Sequence, residues 1–301
     1  MKKINIRKLL VPVDFSSNSM NALQTAAAIA KRHEAAIHLL YVDDYDYDLF
    51  STDTSLRPPR LPAYMKMLTT LSKTIINQDE VNCSYSTETG SVTHCILKTA
   101  LDLAIDLIVI GKNGTNGQSA EYAGSHTCQV VEKSRLPVMV VPEGVTKYSF
   151  ENILFPVRPL LSVPDKYDAI RSFILKSKPS ITILNLRNPD YLNELHIIHR
   201  LSHIMKMRLE KDSIQYEMTY YFKDSHFAEK IISMISESEK QFDLVVITSE
   251  FEKHHRDFHI GYYNQKIIHQ AAIPVLVIHP DNAKLDKDEI LARLEKEVNI
   301  D

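Results

Sequence analysis

Four glycines lie close together in the segment GKNGTNGQSAEYAGS, residues 111–125. In a chain with only 7 glycines among 301 residues, this segment holds Gly111, Gly114, Gly117 and Gly124. Glycine permits a positive φ angle and a close approach of the backbone to an anion. The helical pattern that begins at the end of the segment adds free backbone N–H groups and a helix dipole. The composition therefore favours a phosphate site here over a flexible surface loop.

Other catalytic and phosphate-binding motifs are absent from the sequence. There is no G-x-x-x-x-G-K-[ST], and the first strand-to-helix turn, VPVDFSSNS, has no G-x-G-x-x-G. HExxH and G-x-S-x-G are also missing, so a zinc protease or a nucleophile-elbow hydrolase has no support. His126 is the only candidate general base in the glycine region. These observations favour binding over turnover.

Three sequence signatures occur twice, in the same order. The pairs are KLLVPVDF (8–15) with NILFPVRP (152–159), DLIVIGKNG (106–114) with DLVVITSEF (243–251), and LPVMVVPE (136–143) with IPVLVIHP (273–280). The number of residues between Asp106 and Asp243 is the same as that between Gly124 and Gly261, so this stretch aligns without a gap. The repeat predicts two copies of one domain, at 1–146 and 147–282, followed by an amphipathic helix at 283–301.

Within the first copy, short continuous apolar runs alternate with segments of helical period. The predicted strands are LLVPV, IHLLYV, VNCSYSTE, LIVI and VMVV, and the predicted helices are SMNALQTAAAIAKRH behind a Ser19 cap, SVTHCILKTALDLAID and GSHTCQVVEKSRL. This alternation is typical of an α/β fold with a doubly wound parallel sheet. Right-handed crossovers would place the glycine segment at the carboxyl edge of the sheet, where ligands bind.

Composition excludes several classes of protein. A net charge of -3 and a pI near 6.5 give no reason to expect nucleic acid or an anionic membrane as partner. No apolar run approaches the roughly 20 residues that span a bilayer. The three cysteines form no C-x-x-C pair, which indicates reduced thiols and predicts a cytoplasmic location.

Both halves of the chain resemble the universal stress protein family. The resemblance lies in LLVPVDFS, DLIVIGKNG and LPVMVVP, and in a spacing of Gly, two residues, Gly, nine residues, Gly and Ser. Gly111, Gly114, Gly124 and Ser125 match that spacing in the ATP-binding branch of the family. The resemblance implies two tandem Rossmann-like, adenine nucleotide alpha hydrolase-like domains. Each would have a five-stranded parallel sheet with its first and fourth strands adjacent.

The same resemblance implies roles for individual residues. Asp14 would accept hydrogen bonds from ribose hydroxyls, although a turn or helix-capping aspartate is the alternative. The backbone around Val42 would meet adenine, and Lys112 would either add charge or be a solvated lysine. The residues implied to bind ATP, with or without Mg²⁺, are Pro12, Val13, Asp14, Val42, Gly111, Lys112, Asn113, Gly114, Gly124, Ser125, His126 and Thr127.

The second copy departs from this pattern. Arg158 replaces Asp14, and the glycine and serine positions of the loop carry Thr248, Phe251 and Tyr262. Unlike glycine, phenylalanine does not readily adopt a positive φ angle, and its side chain would fill space near where the anion would lie. We expect the second domain to keep the fold and to have lost this mode of nucleotide binding.

Two other clusters permit metal binding but have a simpler interpretation. His196, His199 and His203 would share one helix face, where imidazoles bind zinc, or they form a polar flank beside an apolar stripe. The acidic segment DDYDYDLFSTD, 43–53, would hold Mg²⁺ or is a solvated loop. The polar interpretation is favoured for both.

The leading hypothesis is a cytoplasmic, ATP-binding stress-response sensor or regulator. The alternatives are an interaction scaffold with a vestigial site and a weak ATPase. The resemblance also implies a pseudo-dimer of the two domains through their last strands, VMVV and VLVI, which would protect their sheet edges. A homodimer is a further possibility, and no nucleic acid or membrane partner is expected.

Overall fold

The computed structural model describes residues 6–44, 61–113, 125–159, 163–187, 192–222, 226–237, 241–249 and 262–279. These residues form two compact units, the first being Ile6–Gly144 and the second the described part of the chain from Val145 on. Several predicted features lie outside the described residues. They are most of the acidic segment, the glycines at 114, 117 and 124, the counterpart loop at 250–261 and the helix at 283–301.

The first unit is a parallel sheet with helices between its strands. Its strands are β1 (Lys8–Pro12), β2 (Ala36–Asp43), β3 (Cys83–Thr89), β4 (Leu107–Gly111) and β5 (Val138–Val141), and its helices are α1 (Ser17–His33), α2 (Leu61–Asp79), α3 (Val92–Asp102) and α4 (Ser125–Lys133). The strand order is β3-β2-β1-β4-β5, with every pair parallel. The predicted α/β class and the adjacency of the first and fourth strands are confirmed.

The second unit repeats this topology. Its strands are β6 (Asn152–Val157), β7 (Ser180–Leu186), β8 (Gln215–Tyr221), β9 (Leu244–Thr248) and β10 (Val275–Ile278), and its helices are α5 (Val163–Ser177), α6 (Leu192–Lys211), α7 (Phe227–Glu237) and α8 (Tyr262–Gln270). The strand order is β10-β9-β6-β7-β8, again all parallel. The second sheet is therefore wound in the same way as the first.

Burial explains why four of the strands, β4, β5, β9 and β10, are continuous apolar runs in the sequence. Every residue of β4, β5, β9 and β10 is buried. A strand covered by helices on both faces has no solvent side, so the usual alternation of polar and apolar residues is lost. The outer strands β3 and β8 are instead only partly buried along their length.

An aspartate before β4 clamps the start of β1. One carboxylate oxygen of Asp106, Oδ2, accepts hydrogen bonds from the backbone N–H of Arg7 at 2.8 Å and of Lys8 at 3.1 Å. Arg7 precedes the strand and Lys8 is its first residue. The carboxylate accepts from their N–H groups in place of a carbonyl of a neighbouring strand. The clamp fixes the amino edge of the first sheet.

The second unit carries the same clamp. Oδ2 of Asp243 accepts from the backbone N–H of Glu151 and of Asn152, both at 2.9 Å. Its other oxygen lies 3.0 Å from Nζ of Lys147, and the carboxylate side chain is only 3% exposed. The hydrogen bonds to Asp243 contribute to a raised pKa of the Lys147 ammonium. The repeated aspartate of the sequence is thus a repeated structural contact.

Two predictions about helices need correction. Ser16, not Ser19, caps α1, because the Ser16 Oγ accepts from the backbone N–H of Ser19 at 3.2 Å and the helix already begins at Ser17. Ser19 is buried inside the first turn. Helix α2 was not predicted at all. In the part of the chain that is described, no helix is long and apolar enough to cross a bilayer.

Removing the clamps should destabilise each unit without touching its carboxyl edge. We expect Asp106→Ala and Asp243→Ala each to lower the free energy of unfolding by about 1–3 kcal/mol, because two backbone N–H groups lose their acceptor. The loss should be larger for Asp243, which is more buried and also binds Lys147. Urea denaturation measures both. Asp102→Ala, at an exposed aspartate, is the control, and equal losses in all three variants would contradict the clamp.

Candidate functional site

Asp14 lies at the carboxyl end of β1 and is half-buried. Its Oδ1 accepts hydrogen bonds from the backbone N–H of Ser16 at 3.0 Å and from the Ser16 hydroxyl at 2.6 Å. Asp14 therefore does build the turn before α1, as the alternative interpretation of this residue predicted. The turn also fixes the direction of the carboxylate at the edge of the sheet.

Gly111 ends β4 at the point where α1 packs on the strand. A Cβ atom at this position would lie 2.8 Å from the backbone carbon of Asn18, 2.9 Å from its oxygen and 3.0 Å from the nitrogen of Ser19. Those distances are too short for any side chain. Gly111 is thus required by the packing of two elements of the fold, and the approach to an anion that the sequence predicts stays a prediction.

Thr127 connects α4 to the same point. Its hydroxyl donates to the carbonyl oxygen of Gly111 at 2.9 Å, and the side chain is buried. The hydroxyl proton of Thr127 is thus used within the fold, and the phosphate contact that the resemblance implied for this residue stays a prediction. The hydrogen bond holds the first turn of α4 against the end of β4.

Three buried polar atoms around Gly111 have no hydrogen-bond partner within the described residues. They are Oδ1 of Asn18, Oδ1 of Asn113 and Nδ1 of His126. A buried polar atom left in this state costs about 1–3 kcal/mol, so native proteins rarely keep several together without a ligand or water. The other ring nitrogen of His126, Nε2, lies 3.8 Å from Oδ2 of Asp44.

Lys112 adds a positive charge beside these atoms. Its backbone N–H donates to the carbonyl of Val141 at 2.8 Å, which holds the residue at the carboxyl edge. Burial lowers the pKa of its ammonium. A neighbouring anion would favour the charged form again, so the position is suited to a phosphate.

An aromatic cluster lies at the ends of β1 and β2. The ring of Tyr64, from α2, stacks on Tyr41 with centroids 4.2 Å apart and on Phe15 with centroids 5.7 Å apart. Phe15 directly follows Asp14 and has a φ of 62°, in the left-handed region. The sequence did not predict this cluster, because α2, which carries Tyr64, was not predicted. It places flat apolar surface near Asp14 and Val42.

The structure brings the described members of the predicted site to one edge of the first sheet. Pro12 ends β1, and Val13 and Asp14 follow it. Val42 lies near the end of β2, Lys112 and Asn113 follow Gly111, and His126 and Thr127 lie in the first turn of α4. Gly114 and Gly124 lie outside the described residues, as does the side chain of Ser125.

At the matching strand end of the second unit, Thr248 takes the place of Gly111. The amide nitrogen Nδ2 of Asn264 donates to the carbonyl oxygen of Thr248 at 2.9 Å. This contact has the same geometry as that between Thr127 and Gly111. The second unit therefore keeps the connection between strand and helix while changing the residues at the edge.

The predicted histidine array lies on α6. His196, His199 and His203 are exposed, whereas Ile198 and Met205 are fully buried. The array is thus on the solvent side of its helix. Among the described residues, no group of three or more His, Cys, Asp or Glu side chains is arranged to hold a metal ion.

Comparison with known proteins supports one family. Residues 5–142 match the family model of the Universal stress protein family. A universal stress protein of Synechocystis is 26% identical over 144 residues, which cover 46% of this chain and 87% of that protein.

Similarity in fold extends over both units. A universal stress protein structure from Archaeoglobus fulgidus has a TM-score of 0.72 and 14% identity, with 92% of this chain and 99% of that chain covered. A functionally unknown protein from Pseudomonas aeruginosa has a TM-score of 0.67 and 16% identity, with 97% and 96% covered. The match over residues 5–142 places the first unit in the universal stress protein family, and the fold of universal stress protein structures extends over both units.

Proposed function

We propose that the first unit binds an adenine nucleotide, ATP, at the carboxyl edge of its sheet, and that the protein acts as a nucleotide-linked regulator. The observation that carries this proposal is the set of three unpartnered polar atoms around Gly111, from Asn18, Asn113 and His126. They lie where ligands bind in open parallel sheets. The match of the first unit to the universal stress protein family supports the choice of nucleotide.

The residues of the edge divide into two groups that fit the two ends of a nucleotide. Asp14 offers a carboxylate to ribose hydroxyls, and the rings of Tyr41 and Phe15 offer apolar surface to a base. Lys112 and the backbone N–H groups at the start of α4 offer positive charge to phosphates. In this arrangement, the role of Thr127 is to hold α4 in place and to offer its backbone N–H.

Binding can be tested on the purified full-length chain. Denaturation should release adenine nucleotide, and isothermal titration calorimetry with ATP and Mg²⁺ should give a measurable affinity. If neither is seen, the proposal fails and an interaction scaffold becomes the better account. Release of phosphate that depends on His126 would instead show that the bound nucleotide is hydrolysed.

Asp14→Asn separates the binding role of this aspartate from its role in the turn. The amide oxygen of asparagine can still accept from Ser16, so the fold should be kept. Loss of a charged acceptor for ribose hydroxyls should weaken ATP binding about tenfold or more. Calorimetry measures the affinity, and circular dichroism checks the fold. Arg158→Gln, at the matching position of the second unit, should leave ATP binding intact. Loss of ATP binding in Arg158→Gln but not in Asp14→Asn would mean that the nucleotide binds to the second unit.

Lys112→Met should weaken the binding of ATP more than the binding of adenosine. If the ammonium binds phosphate, its removal costs a charge-assisted hydrogen bond, worth about tenfold in affinity, and leaves the nucleoside contacts unchanged. Parallel titrations with ATP and adenosine measure the difference. Lys133→Met, at the exposed end of α4, is the matched control. An equal loss for both ligands would mean that Lys112 acts on the fold and not on the phosphates.

A further inference from the structure

The outer strand of the second sheet differs from its counterpart at its carboxyl end. Strand β1 pairs with β2, and β6 with β7, in equivalent registers, so these segments of the two units align without a gap. The registers of β3 and β8 against their neighbours extend the alignment to the outer strands. Three positions at this end change together: Arg187 replaces Asp43, Tyr220 replaces Thr87 and Phe222 replaces Thr89. An acidic and polar strand end has thus become a cationic and aromatic one.

Arg187 is a buried cation with unused hydrogen-bond donors. It directly follows β7, and its backbone N–H donates to the carbonyl of Tyr221 at 3.2 Å, which continues the ladder between β7 and β8. Arg187 is 8% exposed, and Nε and Nη1 of its guanidinium have no hydrogen-bond partner among the described residues. Buried N–H donors of a charged group are costly when they lack an acceptor. The position therefore favours a ligand that brings acceptor oxygens.

Two exposed aromatic rings lie beside this guanidinium. Its carbon is 5.1 Å from the ring centroid of Phe222, and the rings of Phe222 and Tyr220 are tilted against each other with centroids 5.6 Å apart. Phe222 is 39% exposed and Tyr220 is 49% exposed. An aromatic face orients a guanidinium without using its N–H donors. Aromatic residues and arginine are also enriched at the centres of protein–protein interfaces.

The charge around these rings is positive. On the opposite face of the strand end, Nζ of Lys230 lies 5.6 Å from the ring centroid of Tyr221. Other cations of the unit are paired with carboxylates: Arg171 with Asp212, Arg208 with Asp168, and Lys266 with Glu229. The unit therefore has the usual means to neutralise a positive charge, whereas Arg187 lies against an aromatic ring. A partner that complements this surface is acidic.

The buried lysine of the same sheet edge is not part of this surface. Lys166, whose counterpart in α1 is the fully buried Ala22, is 2% exposed. Its Nζ donates to the carbonyl of Pro156 at 2.8 Å and lies 3.9 Å from the ring centroid of Phe155. Desolvation holds the pKa of its ammonium well below the usual value. Lys166 thus occupies a core position, whereas Arg187 lies beside the exposed ring of Phe222.

We propose that Arg187, Tyr220 and Phe222 form a docking surface for an acidic segment of a partner protein. A carboxylate of the partner accepts charge-assisted hydrogen bonds from the N–H groups of Arg187 that now have no acceptor. Apolar side chains next to that carboxylate cover the two rings. A protein segment is favoured over nucleic acid because the chain has a net charge of -3 and a pI near 6.5. The surface shares no residue with the nucleotide site proposed for the first unit.

Fluorescence anisotropy of a labelled octapeptide measures binding to the full-length chain. Glutamate alternates with valine in the probe, and lysine replaces every glutamate in its charge control. The acidic peptide should bind at least about tenfold more tightly than the basic one, and added salt should weaken it because ion pairs are screened. If the acidic peptide binds no more tightly than the basic one, the proposal is wrong.

Variants locate the binding surface. Arg187→Gln removes the charge, and Tyr220→Thr and Phe222→Thr introduce the residue type of the first unit. Each should weaken binding of the acidic peptide about tenfold or more. Tyr220 is exposed and threonine suits a strand, so Tyr220→Thr still tests the surface if Arg187→Gln does not fold.

Matched controls lie at exposed positions of the first unit. Arg135→Gln and Leu101→Thr should bind the acidic peptide as the unaltered chain does. Equal losses in these controls and in the variants of the surface would contradict the proposal. The Nε–H resonance of Arg187, identified by its loss in Arg187→Gln, should also shift when the peptide is added. A bound peptide that leaves this resonance unmoved would lie elsewhere.

Two other occupants have distinct signatures. Tighter binding of a single-stranded oligothymidine of the same length than of the acidic peptide would make this a nucleic-acid surface and overturn the proposal. A dimer that dissociates in Tyr220→Thr, measured by analytical ultracentrifugation, would make it a contact between two copies of the chain and also overturn it. The affinity for ATP should be unchanged in Arg187→Gln, so the peptide and nucleotide proposals succeed or fail separately.

Discussion

The first unit depends on one steric constraint, which is that the end of β4 has no room for a side chain. Gly111 lets the backbone of Asn18 approach to a distance that any Cβ atom would block. The carbonyl oxygen of Gly111 also accepts a hydrogen bond from the hydroxyl of Thr127. The starts of α1 and α4, which carry Asn18 and His126, are therefore fixed against one strand end. The candidate site is a consequence of packing, formed before any ligand arrives.

The two units present complementary chemistry at this edge. In the first, the oxygens of Asp14, Asn18 and Asn113 are acceptors, so they suit a ligand with hydroxyl or amino donors, while Lys112 provides charge for an anionic end. In the second, Arg158 and Lys166 replace Asp14 and Ala22 at the matching positions, and both side chains are donors only. A nucleoside with phosphates meets the first description and not the second.

Sequence predicts much of the fold because the signals are local. Buried parallel strands read as short apolar runs, and the repeated aspartate marks the start of a strand in both units. Helix α2 was missed because its apolar stripe is blurred, with Met65, Met67 and Ile76 exposed. The cap of α1 was misplaced because several serines follow one another. The sequence does not show that the Ser16 hydroxyl donates to Asp14 and accepts from the backbone N–H of Ser19.

The site was harder to predict because its roles depend on contacts across the sheet. A glycine required for packing and a glycine required for a phosphate look alike in sequence, and only the distance to Asn18 separates them for Gly111. The hydroxyl of Thr127 likewise has a partner that no spacing reveals. Lys166 was overlooked, although the alignment with Ala22 placed a lysine at a core position and was a usable signal.

The stabilising clamps and the residues that differ between the copies lie at opposite edges of each sheet, which explains how one copy diverged while keeping the fold. The clamps of Asp106 and Asp243 act at the amino ends of the strands, and they are the same in both units. The carboxyl ends carry the substitutions, including a buried lysine whose desolvation the rest of the unit must offset. A buried cation without a carboxylate is a cost to folding alone. The second unit keeps its fold despite that cost because the hydrogen bonds of Asp243 hold its strands at the opposite edge.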